Sequence, residues 1–139
     1  MKVLLINGSP KAERCTFTAL SEVAKTLEAE GIETEIVHIG NQAIRGCIAC
    51  RACKKNGKCV FNDIVNEVAP KFAECDGLVV GTPVYYASAN GNLISVISKN
   101  RILSKKISSE NKLPTTALTT NRHRFGFWCK KKVVANNKK

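Results

Sequence analysis

Two short apolar runs govern what this chain can fold into: Val3-Leu4-Leu5-Ile6 and Leu78-Val79-Val80, each reaching a glycine within two residues. Continuous runs of this length read as strands covered on both faces, the kind found in the middle of a parallel sheet. Helical patterns separate them. From Thr16 to Glu30, Phe17, Leu20, Val23, Ala24 and Leu27 fall on one stripe, and Gly31 stops the helix. Residues 32–39 alternate in part and read as a second, more exposed strand. Ile64, Val65, Val68 and Phe72 mark another helix over 63–75, which Pro70 is expected to break or kink in its last turns. Strands alternating with helices predict an α/β fold with right-handed crossovers. A further helix can begin after Asn90 on Leu93, Ile94 and Ile97, but the pattern loses definition from Lys99, and residues 113–120 have the character of one more strand.

The chain has 139 residues, enough for one domain. With 44% hydrophobic and 24% charged residues it can bury a core, which excludes a disordered or collagen-like chain. The net charge of +11 suggests nucleic acid until it is located. Residues 1–95 hold ten basic and ten acidic residues, whereas residues 96–139 hold twelve basic residues against Glu110 alone. The body is neutral and the end is basic. No apolar run reaches the roughly 18 residues of a membrane span, and the first residues are too short an apolar stretch for a signal peptide. A cytoplasmic protein without membrane contact is expected. Seven cysteines in such a chain point to metal binding or redox chemistry rather than disulfides.

Gly8-Ser9-Pro10-Lys11, followed by Cys15-Thr16, joins a buried strand to a helix N-terminus, where backbone N–H groups and the helix dipole favour an anion. The Ser9 and Thr16 hydroxyls can donate to a phosphate and Lys11 can add charge; an ordinary strand-to-helix turn is the alternative. Cys47, Cys50, Cys53 and Cys59 place four thiols within 13 residues. Structural zinc usually takes two cysteine pairs set a dozen or more residues apart, while thiolates spaced by two residues wrap a 4Fe-4S cube. Arg51, Lys54, Lys55 and Lys58, set among them, would offset the thiolate charge. Zinc or a loop of plain reduced thiols stays open. Thr82-Pro83-Val84-Tyr85-Tyr86 leaves the third strand on the sheet edge that also carries Ser9. Ligands of open parallel sheets bind on that edge, and paired tyrosines can wall a planar ring.

In that order, VLLINGSPK, GCIACRACKKNGKC and GTPVYYASANG resemble the NADPH-dependent FMN reductase family, and within it the iron-sulfur flavoprotein branch. The likeness covers about residues 1–98. It implies a flavodoxin-like, three-layer fold around a parallel sheet. It also implies FMN: Ser9, Lys11 and Thr16 at the phosphate, Cys15 and Phe17 beside them, Pro83, Val84, Tyr85 and Tyr86 against the ring, and Asn90 and Gly91 nearby. A 4Fe-4S cluster on the four cysteines, NAD(P)H as electron donor, a redox partner or small-molecule acceptor, and a homodimer or homotetramer belong to the same implication. Against the family's usual GSPRxxGNT, Lys11 stands for arginine, Arg14 for glycine and Cys15 for asparagine. Residues 99–139 resemble nothing in the family, so the expected organisation is an FMN-binding domain over 1–98, with a cysteine insertion at 47–59, and a basic tail. A reading frame interrupted near residues 95–100 would give such a tail and a sheet incomplete at its C-terminal side, with the edge of the third strand uncovered.

Electron transfer through flavin, with or without the cluster, is the leading expectation; the second form is an NAD(P)H-dependent FMN or quinone reductase. An inert remnant is a third reading. A basic module that stacks single strands on Arg122, Arg124, Phe125, Phe127, Trp128 and residues 130–132 is a fourth, and nucleic acid is set aside as a partner. No catalytic acid or base is called for: His38 reads as structural, and His123 lies in the unmatched tail.

Overall fold

The structure, a computed structural model, describes residues 1–103, 115–121 and 124–128. The elements run β1 (Lys2–Asn7), α1 (Cys15–Ala29), β2 (Glu33–His38), α2 (Ala52–Asn56), α3 (Ile64–Glu74), β3 (Gly77–Tyr85), β4 (Ser88–Ala89), α4 (Gly91–Leu103), β5 (Thr115–Asn121) and β6 (Arg124–Trp128). The sheet order is β2-β1-β3-β5-β6, with β4 paired to β3. Strands β1, β2, β3 and β5 are parallel, and β6 runs antiparallel to β5. This is the flavodoxin-like α/β architecture expected. The edge of β3 that a shorter sheet would leave open carries β5, in register from Leu78↔Thr115 to Pro83↔Thr120. Helix α4 runs on through residue 98.

Period-two alternation divides the two central strands between two cores. Val3, Leu5 and Val79 face α1 through Leu20 and Ala24. Leu4, Ile6, Leu78 and Val80 face α3 and α4 through Val65, Val68, Phe72, Leu93 and Val96. Both faces of β1 and β3 are therefore dry, which accounts for their unbroken apolar runs.

Pro70 does not break α3, which continues to Glu74 and closes with Cys75 N–H donating to Lys71 O at 3.0 Å. Proline removes one ladder hydrogen bond, but buried Val65 and Val68 before it and Phe72 after it hold the helix to the sheet, while Pro70 faces outward. At the other end the Asp63 carboxylate accepts from Val65 N–H at 3.1 Å, a normal N-cap. Among the described residues no helix is long and apolar enough to cross a membrane.

Glu35 on β2 sits between two ammonium groups, Lys71 Nζ at 2.6 Å and Lys2 Nζ at 3.3 Å. The hydrogen bond from Lys71, helped by Lys2 and opposed by partial burial, holds its carboxyl below the usual carboxylate range. A carboxyl lowered on folding stabilises the protein above its unfolded pKa, and the effect disappears as pH falls through the folded pKa. Glu35→Gln is therefore expected to lower the urea midpoint at neutral pH and to converge on the parent chain in the acid limb. Equal destabilisation at both ends of the pH range would contradict this account. Gly81 is more demanding: a Cβ there would lie 2.9 Å from Leu20 Cδ1 and from Thr16 Cγ2. Overpacking of this kind costs about 1–3 kcal/mol, so Gly81→Ala should lower the unfolding free energy by that amount, read as a lower denaturation midpoint with an unchanged m-value.

Candidate functional site

Strand order reverses at β1, whose neighbours β2 and β3 lie on opposite sides, so the carboxyl ends of β1 and β3 border the crevice where such sheets bind ligands. Gly8 N–H donates to Gly81 O at 2.7 Å, joining the two departing loops at their roots. That approach requires glycine: a Cβ on Gly8 would lie 2.9 Å from Leu93 Cδ2 and 3.2 Å from Gly81 O.

From this junction the first loop is built on Asn7, which is fully buried. Its side chain accepts from Ser9 N–H at 3.0 Å and donates to Ala12 O at 3.1 Å. Ser9 Oγ accepts from Lys11 N–H at 3.2 Å, and His38 Nε2 lies 2.8 Å from Ser9 O. The loop ends at α1, whose N-cap residue Arg14 makes no side-chain capping bond and whose first turn carries no acidic residue. A helix end with positive dipole and no acidic residue in its first turn is one that favours an anion. Ser9 and Thr16 are buried, while Lys11, Cys15 and Phe17 are exposed around them.

The second loop is a hairpin. Thr82 Oγ1 donates to Pro83 O at 2.9 Å and accepts from Asn90 N–H at 3.1 Å, so one buried hydroxyl ties its two arms together. Tyr85 pairs with Ser88, leaving Tyr86 and Ala87 as a two-residue turn with φ of +46° and +60°. Turns with both central residues left-handed favour Asn-Gly; side chains there cost about 1–3 kcal/mol each. Tyr86 is fully exposed and Tyr85 half exposed, so both rings stand outside the core. Asn90 Oδ1 accepts from Asn92 N–H at 2.8 Å at the start of α4, and Asn92 Nδ2 donates to Gln42 O at 2.9 Å, bringing in the loop after β2.

That loop leads to the cysteines. Cys47, Cys50, Cys53 and Cys59 all line one cavity of about 310 Å³, together with Arg51, Lys54, Phe61, Lys99 and Leu103. The run bends at two left-handed residues, Ala49 (φ +55°) and Arg51 (φ +59°), and Arg51 then starts α2, which carries Cys53. Cys59 is held separately: Asn66 of α3 accepts from its N–H at 2.8 Å and donates to its carbonyl at 3.2 Å. All four are free thiols. Among the described residues no three His, Cys, Asp or Glu side chains are close enough together to hold a single metal ion. A second, more open groove of about 560 Å³ shares Val60 and Phe61 with the cavity and reaches Arg45 and Asn92.

The structure therefore brings Ser9, Lys11, Cys15, Thr16 and Phe17 to one sheet edge with Pro83, Val84, Tyr85, Tyr86, Asn90 and Gly91, and gathers the four cysteines elsewhere on one cavity. Asn7, Thr82 and Asn92 were missed. Each is a short polar residue next to a glycine in sequence, a signal that does not reveal which hydrogen bonds it makes. Arg122, His123 and residues 130–132 lie outside the described residues, and the backbone of residues 124–128 forms β6.

Comparison with known proteins agrees with this geometry. The sequence matches the NADPH-dependent FMN reductase family over residues 1–114. It is 35% identical over 113 residues to an iron-sulfur flavoprotein of Methanocaldococcus jannaschii, covering 81% of this chain and 58% of that protein. An iron-sulfur flavoprotein of Archaeoglobus fulgidus is 37% identical over 102 residues, covering 73% of this chain and 50% of its own. The chain thus spans little more than half the length of these relatives. Among solved structures, RosB with a bound formylriboflavin phosphate superposes with a TM-score of 0.59 at 19% identity, over 86% of this chain and 51% of that one. The FMN-dependent NADH-azoreductase of Bacillus anthracis gives 0.59 at 10% identity, over 86% of this chain and 68% of that one, a likeness of fold. With this match over residues 1–114, the chain belongs to the NADPH-dependent FMN reductase family.

Proposed function

We propose that this chain is an FMN-dependent oxidoreductase that holds a 4Fe-4S cluster on Cys47, Cys50, Cys53 and Cys59 and uses NAD(P)H as electron donor. The observation that carries the flavin assignment is the convergence of the β1 and β3 loops on one hydrogen bond, Gly8 N–H to Gly81 O, beside an uncapped α1. The residues fit the cofactor. Ser9 and Thr16 supply hydroxyl donors, the first turn of α1 supplies N–H groups, and Lys11 and Arg14 add positive charge for a phosphate. Pro83 to Tyr86 offer an apolar and aromatic wall for the ring, with Asn90 and Gly91 at its rim and Cys15 and Phe17 on the phosphate side. FMN supplies hydride acceptance and one-electron transfer when bound. The protein's part is to fix the loop that grips the phosphate, through Asn7 and His38, and the loop that faces the ring, through Thr82.

The cluster assignment rests on the shared cavity. Four cysteines that line one cavity are the kind of ligand set a 4Fe-4S group takes. The neighbouring groove shares Val60 and Phe61 with that cavity and reaches Asn92, which adjoins the Asn90 of the proposed flavin site. A redox partner or small molecule is the acceptor in this reading, and the assembly is a homodimer or homotetramer.

Anaerobic purification followed by FMN titration tests the first assignment: flavin fluorescence should be quenched on binding. Loss of one hydroxyl donor to a charged phosphate costs about 1.5–3 kcal/mol, so Ser9→Ala should weaken FMN binding at least tenfold. A folded chain that leaves flavin fluorescence unchanged would refute the assignment. Reconstitution with iron and sulfide tests the second. A broad visible absorbance bleached by dithionite is expected, and Cys50→Ser should lower the iron bound per chain while leaving the FMN titration as it was.

A further inference from the structure

Lys99 is a buried cation in the wrong place for a core. It lies on α4 among the residues that face the sheet, 3% exposed, where Leu93 and Val96 are fully covered. Its ammonium is 2.6 Å from Asp63 Oδ2, with side-chain exposures of 2% for the lysine and 10% for the aspartate. Burying such a pair costs several kcal/mol per ion before attraction is counted, and apolar residues of the same size often serve stability equally well or better. Asp63 has a separate reason to be present, as the N-cap of α3. Lys99 has none of that kind, and its surroundings show where its charge is directed. Lys99 lines the cavity of the four cysteines, whereas Asp63 lies away from it, on the neighbouring groove. The ammonium is also 5.0 Å from the centroid of the Phe61 ring, whose other cationic neighbour is Arg45 at 5.4 Å. Of the two partners, Lys99 is thus the one that belongs to the wall of the cysteine cavity.

We propose that the Lys99–Asp63 pair is a positioning element for the cysteine cavity that raises the reduction potential of the cluster held there. This rests on the cluster reading above. Reduction adds one electron to a group already carrying four thiolates, and net charge and local hydrogen bonding are the levers by which proteins set such potentials. A fixed cation at the wall stabilises the reduced form more than the oxidised form. Arg51 and Lys54 line the same cavity but, like Lys55 and Lys58, are exposed and screened by solvent, so the buried cation carries the larger share of the effect.

The opposite signs of the two partners give the test. The full-length chain, reconstituted with iron and sulfide under anaerobic conditions, is titrated by spectroelectrochemistry, with iron content and thermal unfolding measured for every variant. Lys99→Gln should move the cluster potential negative, with reduction about tenfold less favourable, or 59 mV for one electron. Asp63→Asn, which retains an acceptor for the α3 cap, should move it positive. Lys99→Arg should leave it in place. Shifts of the same sign for Lys99→Gln and Asp63→Asn, or no shift in either, overturn the inference while leaving the cluster intact. A parent chain that takes up no iron overturns both the inference and the reading beneath it. If Lys99→Gln does not fold, Asp63→Asn decides alone: a positive shift supports the inference, and a zero or negative shift overturns it.

Discussion

The close approach of β1 and β3 at their carboxyl ends is the constraint on which the rest of the site depends. Parallel strands are about 4.8 Å apart along their length, but their exits normally diverge as the chain turns toward helices on either face. Here Gly8 and Gly81 stay hydrogen-bonded at 2.7 Å one residue beyond β1, and neither can carry a side chain without striking Leu93, Leu20 or Thr16. The two loops consequently begin from one point. Everything offered to a ligand, the uncapped α1 on one side and the tyrosine hairpin on the other, is positioned relative to that point and not to flexible chain.

Rigidity then spreads through small polar side chains instead of apolar packing. Asn7, Thr82 and Asn90 each accept from a backbone N–H in their own loop. Their hydrogen bonds fix backbone directions while leaving the loop surface open to solvent, which a hydrophobic anchor would not do. His38 works likewise: its ring nitrogen meets Ser9 O from the end of the neighbouring strand. A ligand arriving at this edge finds its partners already ordered, so little entropy is lost in arranging them.

The central strands and α1 were legible because their apolar spacing reports burial directly: Leu4, Leu5, Ile6 and Leu20 are all fully covered. Pro70 misled because local propensity was outweighed by Val68 and Phe72, which bury the turn it occupies. Helix α4 was illegible past residue 98 for a more informative reason. Lys99 and Asn100 occupy buried positions that in an ordinary amphipathic helix would be apolar, and among the described residues neither side-chain nitrogen nor oxygen of Asn100 has a hydrogen-bond partner. A pattern reader sees polar residues there and ends the helix, so charge and amide groups placed inside for reasons other than stability erase the signal. The same holds for the hairpin: Tyr86-Ala87 carries none of the Asn-Gly chemistry that announces such a turn, although the backbone adopts it.

These exceptions share a location. Among the described residues, the four non-glycine residues in the left-handed region are Ala49 and Arg51 in the cysteine run and Tyr86 and Ala87 in the β3–β4 hairpin. The buried ion pair adjoins the first of these segments. Conformational strain and buried charge lower stability, and a fold held only by its core would shed both. Their confinement to the two segments that face the cysteine cavity and the switch-point crevice means that the stability supplied by the β1–β3 core is spent there. In the hairpin it presents aromatic rings to solvent, and in the cysteine run it brings the cysteines to the lining of a single cavity. Departures from local sequence preference therefore identify the same two places that the topology and the cavities identify, from independent physical grounds.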